Sequence, residues 1–351
     1  MKYSILIPCY NQETLVDLCL DSVLSQTVHD WEAICTDDGS LDRTGDVLDE
    51  YVRTHCNNVH EIFVSQDGEK KRVVHGVCPT GGVIKIIHQK NGGMSHARNA
   101  AKFLSSGEWY VNLDGDDLLA PSALQTVDEC MNHCPEANMI RGGCKRFMHG
   151  TVPNWSTGDH NFQVIDISRE IKSGVETGHF QSLIFNRGVC GNVILEGPNW
   201  SEERLYTARC LTRVGKCVIT KRDIYGYREH QGQFTRHGMT LDECKGYFDS
   251  TCLILDTYLS SGKVVDRRII RCLLLHLLEW QPRVIINYLE KRYRKEAWKH
   301  WFDSISVVHK YPRVSTWCWC VSWLCSKVRI KALAIFLCYF PDWLKRKGMH
   351  R

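Results

Sequence analysis

Three carboxylates crowd one short stretch, Asp114-Gly115-Asp116-Asp117, directly after the apolar run Trp109 to Leu113. Such a run, closed by polar turn residues, predicts a buried strand with the acids at its end. Like charges this close repel, so at least one of the pKa values must rise unless a cation compensates. A hard divalent ion, Mg or Mn, held through oxygen together with substrate phosphates is the economical solution. Gly115 would let the backbone approach a ligand. An Asp-rich turn with Gly is equally an ordinary surface loop, and the tetrad alone does not decide between the two.

Two further strings have chemical potential. Asp37-Asp38-Gly39-Ser40 closes a second apolar run, Trp31 to Thr36, and is either a site edge or a turn into a helix capped near Ser40 or Asp42. In Asn91-Gly92-Gly93-Met94-Ser95-His96-Ala97-Arg98-Asn99, Gly-Gly and a possible Ser95 cap precede a helix. Its free N–H groups could meet an anion, with Arg98 a turn away. The carboxylate pair Glu202-Glu203 after Ser201 is either catalytic or a first helical turn whose acids complement the macrodipole.

The elements that must position these residues alternate. Tyr3 to Ile7 reads as a strand, Thr14 to Leu24 as a helix, Trp31 to Thr36 as a strand, and Val47 to Val52 lies on a helical stripe. Val83 to His88, Ser95 to Leu104 and Trp109 to Leu113 continue as strand, helix, strand. That order predicts an α/β fold, a Rossmann-like and mostly parallel sheet flanked by helices, with ligands at the carboxyl ends of the strands. Ser65 to Gly82, rich in Lys, Gly and Asp, reads as an inserted loop or hairpin. After Pro121 the pattern loosens around a helix over Ser122 to Cys134, and from about Asp242 it is mainly helical. Three regions follow: 1–121, 122–241 and a helical, basic, Trp-rich 242–351.

A chain of 351 residues, 43% hydrophobic and 24% charged, has room for a large core and no disorder-prone bias. Its net charge of +4 is unevenly placed: Lys263 to Arg351 carries 19 Lys/Arg against 6 Asp/Glu, or +13, leaving −9 for residues 1–262. An acidic front excludes a nucleic-acid partner there. The 18 cysteines include no CxxC and scatter through helix-like and strand-like runs, which favours reduced thiols over a disulfide framework or a zinc site. Met1 to Tyr10 has too short an apolar run for a signal peptide.

In order and spacing, Pro8-Cys9-Tyr10-Asn11, Ser25-Gln26-Thr27 and the DDGS, NGG…ARN and DGDD strings resemble the nucleotide-binding half of glycosyltransferase family 2, inverting enzymes with the GT-A fold. The resemblance covers Met1 to about Pro121. It implies that Pro8, Tyr10 and Glu13 line a nucleoside pocket, that Asp38 accepts a hydrogen bond from the base with Asp37 beside it, and that Arg98 helps hold the nucleotide. Asp114 would lie near the ribose, with Asp116 the metal ligand and Asp117 second in rank. More faintly, Ser201 to Tyr206 looks like the family's acidic pair and Tyr225-Gly226-Tyr227-Arg228 with Thr235 like the element after it. Glu203 would then be the catalytic base and Glu202 its companion, although the family has Asp at the second position.

The implied reaction transfers one sugar, with inversion, from a nucleotide-diphosphate sugar, a UDP-sugar first, to a saccharide or lipid-linked saccharide. Gln233 to His237 is one residue from the QxxRW string of processive synthases, but no apolar run approaches the ~18–20 residues of a membrane span. A nucleotidyltransferase or a dinucleotide oxidoreductase would want a Gly-rich loop where Pro8 to Asn11 stands. An inactive sugar-nucleotide-binding module of the same fold is the remaining alternative. Seven of the eleven tryptophans lie from Trp280 onward, with Lys327, Arg329, Lys331 and Lys345 to Lys347 around apolar runs. The tail therefore either binds an anionic membrane surface on its cytoplasmic face or packs as a helical appendage.

Overall fold

A computed structural model describes residues 1–66, 68–156, 158, 161–175, 180–196, 202–230, 240–277, 281–287 and 289–305. The chain opens as β1 (Tyr3–Cys9), α1 (Val16–Leu24), β2 (Trp31–Asp37), α2 (Thr44–His55), then the hairpin β3 (Asn57–Gln66) and β4 (Glu69–Val77). Next come β5 (Val83–His88), α3 (Met94–Phe103), β6 (Trp109–Asn112), β7 (Leu118–Leu119), α4 (Ala123–His133), β8 (Met139–Met148), β9 (Gln163–Asp166), β10 (Glu170–Ile171) and β11 (Leu183–Asn186). There follow α5 (Arg187–Cys190), α6 (Glu202–Leu211), β12 (Lys216–Glu229), α7 (Leu241–Ser260), β13 (Val264–Val265), α8 (Arg267–Leu275), α9 (Gln281–Asn287) and α10 (Arg294–Ser304).

Eleven strands form the main sheet in the order β3-β4-β5-β2-β1-β6-β11-β8-β12-β7, with β9 on β12. Its centre, β5-β2-β1-β6, is parallel. Every residue of β1 and β2 is buried, as expected of strands covered on both faces, and their near-continuous apolar sequences follow from it. Tyr3, Ile5, Ile7, Trp31, Ala33 and Cys35 join Val16, Leu20, Leu48 and Val52 of the flanking helices in one core. Each large side chain so placed contributes about 1.5–3 kcal/mol.

The Ser65 to Gly82 stretch is the second arm of the β3–β4 hairpin and its link to β5, with β4 antiparallel to both neighbours. Two long strands, β8 and β12, run parallel in the region where the sequence pattern is loosest. The chain forms two compact units: the first comprises residues 1–169, 175–196 and 213–233, the second residues 170–174, 197–212 and 234–351. In the second unit, α7 begins with a capping box in which Thr240 and Glu243 satisfy each other's backbone N–H groups. Among the described residues no helix is long and apolar enough to cross a membrane, and all fourteen described cysteines are free thiols. The tail strings from Trp317 to Lys347, the Gln233 to His237 string, Ser201 and Thr235 lie outside the described residues.

Candidate active site

Register brings the strand ends together: Cys9 pairs with Asp37, Asp37 with His88, and Leu6 with Asn112. The loops after β1, β2, β5 and β6 therefore gather at one sheet edge. Asn11, in the left-handed region at φ 52°, laces the first two loops: its N–H donates to Ser40 Oγ at 3.1 Å and its Oδ1 accepts from Leu41 N–H at 2.8 Å. Gln12 N–H donates to Thr44 Oγ1, and Glu13 Oε2 accepts from Arg43 N–H. Pro8 is buried under this lacing, whereas Tyr10 is 44% exposed and Glu13 exposed.

Asp37 and Asp38 face different partners. Asp37 accepts from Ser40 N–H and lies 3.3 Å from His88 Nδ1, whose Nε2 is 2.9 Å from Asp49. Burial opposes charge on all three groups, but the mutual bonds outweigh it: Asp37 and Asp49 are held below the ordinary carboxylate value and His88 is lifted to about 9. An unfolded His titrates at about 6.5, so the charge on His88 contributes fully between the carboxylate range and that pH, and its contribution is lost as pH rises through 9. The gap corresponds to at most about 3 kcal/mol. Wild-type protein is expected to lose thermal stability between pH 6.5 and 9 and His88→Gln to lose much less over that window, as paired melts would reveal; parallel curves would refute the cluster.

Asp38, only 3% exposed, spends its carboxylate on the third loop. Oδ1 accepts from Gln89 Nε2 and Gly92 N–H, and Oδ2 from Gly93 N–H at 2.7 Å. The anion that meets the Gly-Gly N–H groups is thus the protein's own, through charge-assisted bonds. Gly93, at φ 86°, is the N-cap of α3, and Ser95 is not: its Oγ is buried without a partner.

The tetrad after β6 divides its labour. Asp114 accepts from Arg98 Nη2 and Gln181 Nε2, each at 2.6 Å, and burial, with Asp116 nearby, raises its pKa despite the Arg98 charge. Arg98 is fully buried, its guanidinium over the Phe180 ring. Asp117, 1% exposed, accepts from the Tyr225 hydroxyl and from Arg228 N–H. Burial, then the charges of Asp116 and Asp114, push its pKa well up. Asp116 keeps its side chain 21% exposed, with Oδ2 at 2.9 Å from His230 Nε2. Gln181 and His230 had no signal in the sequence, since nothing local ties either to an acid more than sixty positions earlier.

Comparison with known proteins identifies the family. The family model described as "Glycosyl transferase family 2" matches residues 4–182. The chain belongs to glycosyl transferase family 2. Its similarities include an uncharacterized glycosyltransferase, EpsJ, of Bacillus subtilis (31% identity over 126 residues, 36% of this chain and 29% of that protein). The hyaluronan synthase of Pasteurella multocida is 33% identical over 238 residues, 58% of this chain and 21% of that protein. The chain thus spans less than a third of the length of these curated relatives. Residues 1–349 of S. aureus TarS, solved with UDP-GlcNAc, superpose with a TM-score of 0.72 at 14% identity, covering 100% of this chain and 93% of that one. The fold is GT-A, with C-terminal helices beyond the sheet.

Asp37, Asp38, Arg98 and the tetrad lie within the matched residues 4–182 and belong to the first compact unit, whereas Glu202 and Glu203 lie beyond the match and belong to the second. They form the first turn of α6, Glu202 buried and Glu203 half-buried. Gly115 answers to the protein itself: a Cβ there would come within 2.2 Å of Gln12 Oε1 and 3.0 Å of Cys9 Sγ. Gly115→Ala is expected to cost about 1–3 kcal/mol through overpacking. Chemical denaturation measures it, and an unchanged midpoint would remove close packing as the reason for glycine.

Proposed function

We propose that this family 2 protein moves one sugar from a UDP-sugar to an acceptor hydroxyl with inversion, assisted by Mg or Mn. The observation that carries the reading is the inequality within the tetrad: Asp114 and Asp117 have both carboxylate oxygens engaged by protein donors, and Asp116 has Oδ2 beside His230 Nε2. Asp116 Oδ2 and His230 Nε2, side by side at 2.9 Å, are an oxygen and a nitrogen donor that would hold such an ion. Among the described residues no three His, Cys, Asp or Glu side chains converge on one point, so water and donor phosphates would complete the shell, as is usual for Mg. When bound, such an ion neutralises charge on the departing diphosphate.

The remaining roles follow the family pattern. Pro8, Tyr10 and Glu13, with Asp37 and Asp38 shaping the loops beneath, line the nucleoside pocket. Asp38 acts through Gly92 and Gly93, and Arg98 acts through Asp114 at the ribose. Glu203 takes the proton from the acceptor hydroxyl, with Glu202 as its buried neighbour, and a single in-line displacement inverts the anomeric carbon. Relatives named as hyaluronan and chondroitin synthases support a saccharide acceptor, in polysaccharide or glycolipid assembly, and the TarS complex supports UDP. The +13 charge of residues 263–351 supports attachment to an anionic membrane on its cytoplasmic face.

A panel of UDP-glucose, UDP-galactose, UDP-GlcNAc, UDP-GalNAc and UDP-glucuronate, with and without Mn, tests the donor. At least one is expected to raise the melting temperature and to release UDP only with metal. A panel silent in both readouts would reject the reading. Sedimentation with anionic vesicles at low salt tests the membrane contact separately.

A further inference from the structure

The second unit contains a half-buried polar junction that involves the residue after the acidic pair. Arg204 follows Glu203 on α6, and its Nη1 lies 3.1 Å from Nε2 of His276, the residue that closes α8. The Tyr247 hydroxyl, on α7, is hydrogen-bonded to the same ring nitrogen. Three helices are thus tied at one imidazole. Burial, and then the Arg204 charge, lower His276 to about 3, so the ring is neutral; a guanidinium can only donate, so Nε2 accepts and the proton sits on Nδ1. Burial raises the Tyr247 phenol although Arg204 opposes it, so that hydroxyl remains a donor.

Neighbours one apart on a helix do not face each other. Arg204 is directed to His276 at the end of α8, where the Tyr247 hydroxyl of α7 also arrives, and its bond to a neutral partner ties α6 in place. The partners are also specific. A Lys could not reproduce the planar fork of the guanidinium, and a Phe at 247 would remove one of the two donors that converge on Nε2. A stable fold does not require a charged junction here, because even a half-buried cation with neutral partners carries part of a desolvation cost that apolar packing would avoid.

We propose that Arg204, Tyr247 and His276 are positioning residues that hold the first turn of α6, and with it Glu203, in the orientation the proton transfer needs. The proposal rests on Glu203 being the base. Misplacing a reacting group by about 1 Å costs up to about 10²-fold in rate, which sets the expected effect.

The test uses the full chain and whichever UDP-sugar of the panel wild type turns over. Tyr247→Phe and Arg204→Lys are each expected to lower kcat by about 10- to 10²-fold with donor KM unchanged, and to shift the acidic limb of the kcat–pH profile. In the double variants with Glu203→Gln, neither substitution should lower kcat further, since both act through the same carboxylate. Hydrogen exchange at the 202–206 amides serves as a second readout, faster in both variants. Normal kcat per folded molecule with only a lower melting temperature would show the junction to be structural and overturn the proposal, as would losses that add to that of Glu203→Gln. An active Glu203→Gln would instead overturn the base assignment on which it rests.

Discussion

Glu203→Gln is expected to lower the rate of sugar transfer by about 10²- to 10⁴-fold, the range for loss of a general base, while donor binding stays within about twofold of wild type. The amide matches the carboxylate in size but cannot take a proton. Glu203 sits half-buried in the first turn of α6, where a negative charge contributes only about 0.3–1 kcal/mol through the helix dipole. The variant should therefore melt within a few degrees of wild type, and unfolding cannot account for the loss. Single-turnover UDP release, donor titration by calorimetry and a melt together separate the outcomes. Retained transfer removes the base, whereas lost donor affinity would mean that Glu203 touches the donor.

Much of the first unit was legible because its central strands are parallel and buried on both faces. Tyr3 to Ile7, Trp31 to Thr36 and Val83 to His88 read as apolar runs with a helical stripe after each; the first two strands run on to Cys9 and Asp37, and the third ends where it was read. The strands β8 and β12 were not legible. They carry Arg141, Lys145, Lys221 and Asp223 among apolar residues, and their pairing depends on partners about eighty positions away. For the site, spacing located the acids but not their roles. Asp37 and Asp38 are adjacent and alike in sequence, yet successive strand residues point to opposite faces: one meets His88 and the other the Gly92–Gly93 amides. A Ser95 cap and a free N-terminal amide cluster on α3 were reasonable from composition. The structure fills that cluster with Asp38, because a carboxylate three strands earlier in sequence is next door in register.

Asp116→Ala is expected to remove at least about 10² of the transfer rate and to abolish its response to Mn, with little change in stability. The neighbouring acids should behave in the opposite way, and that contrast is the content of the assignment. Asp114 is the anion of the fully buried Arg98, and removing one member of such a pair costs about 3–5 kcal/mol. Asp117 fixes the Tyr225 hydroxyl and Arg228 N–H from a site 1% exposed, so Asp117→Ala leaves a buried donor unsatisfied at about 1–3 kcal/mol. Asp116 has the partly exposed His230 as its side-chain partner, an interaction typically worth only about 0–1 kcal/mol. Melts of the three alanine variants should therefore rank Asp116 as the mildest, while Mn-induced stabilisation should vanish in Asp116→Ala and weaken in His230→Ala. If Asp116→Ala still gains stability from Mn, the ion is held by other groups and the tetrad's remaining role is structural.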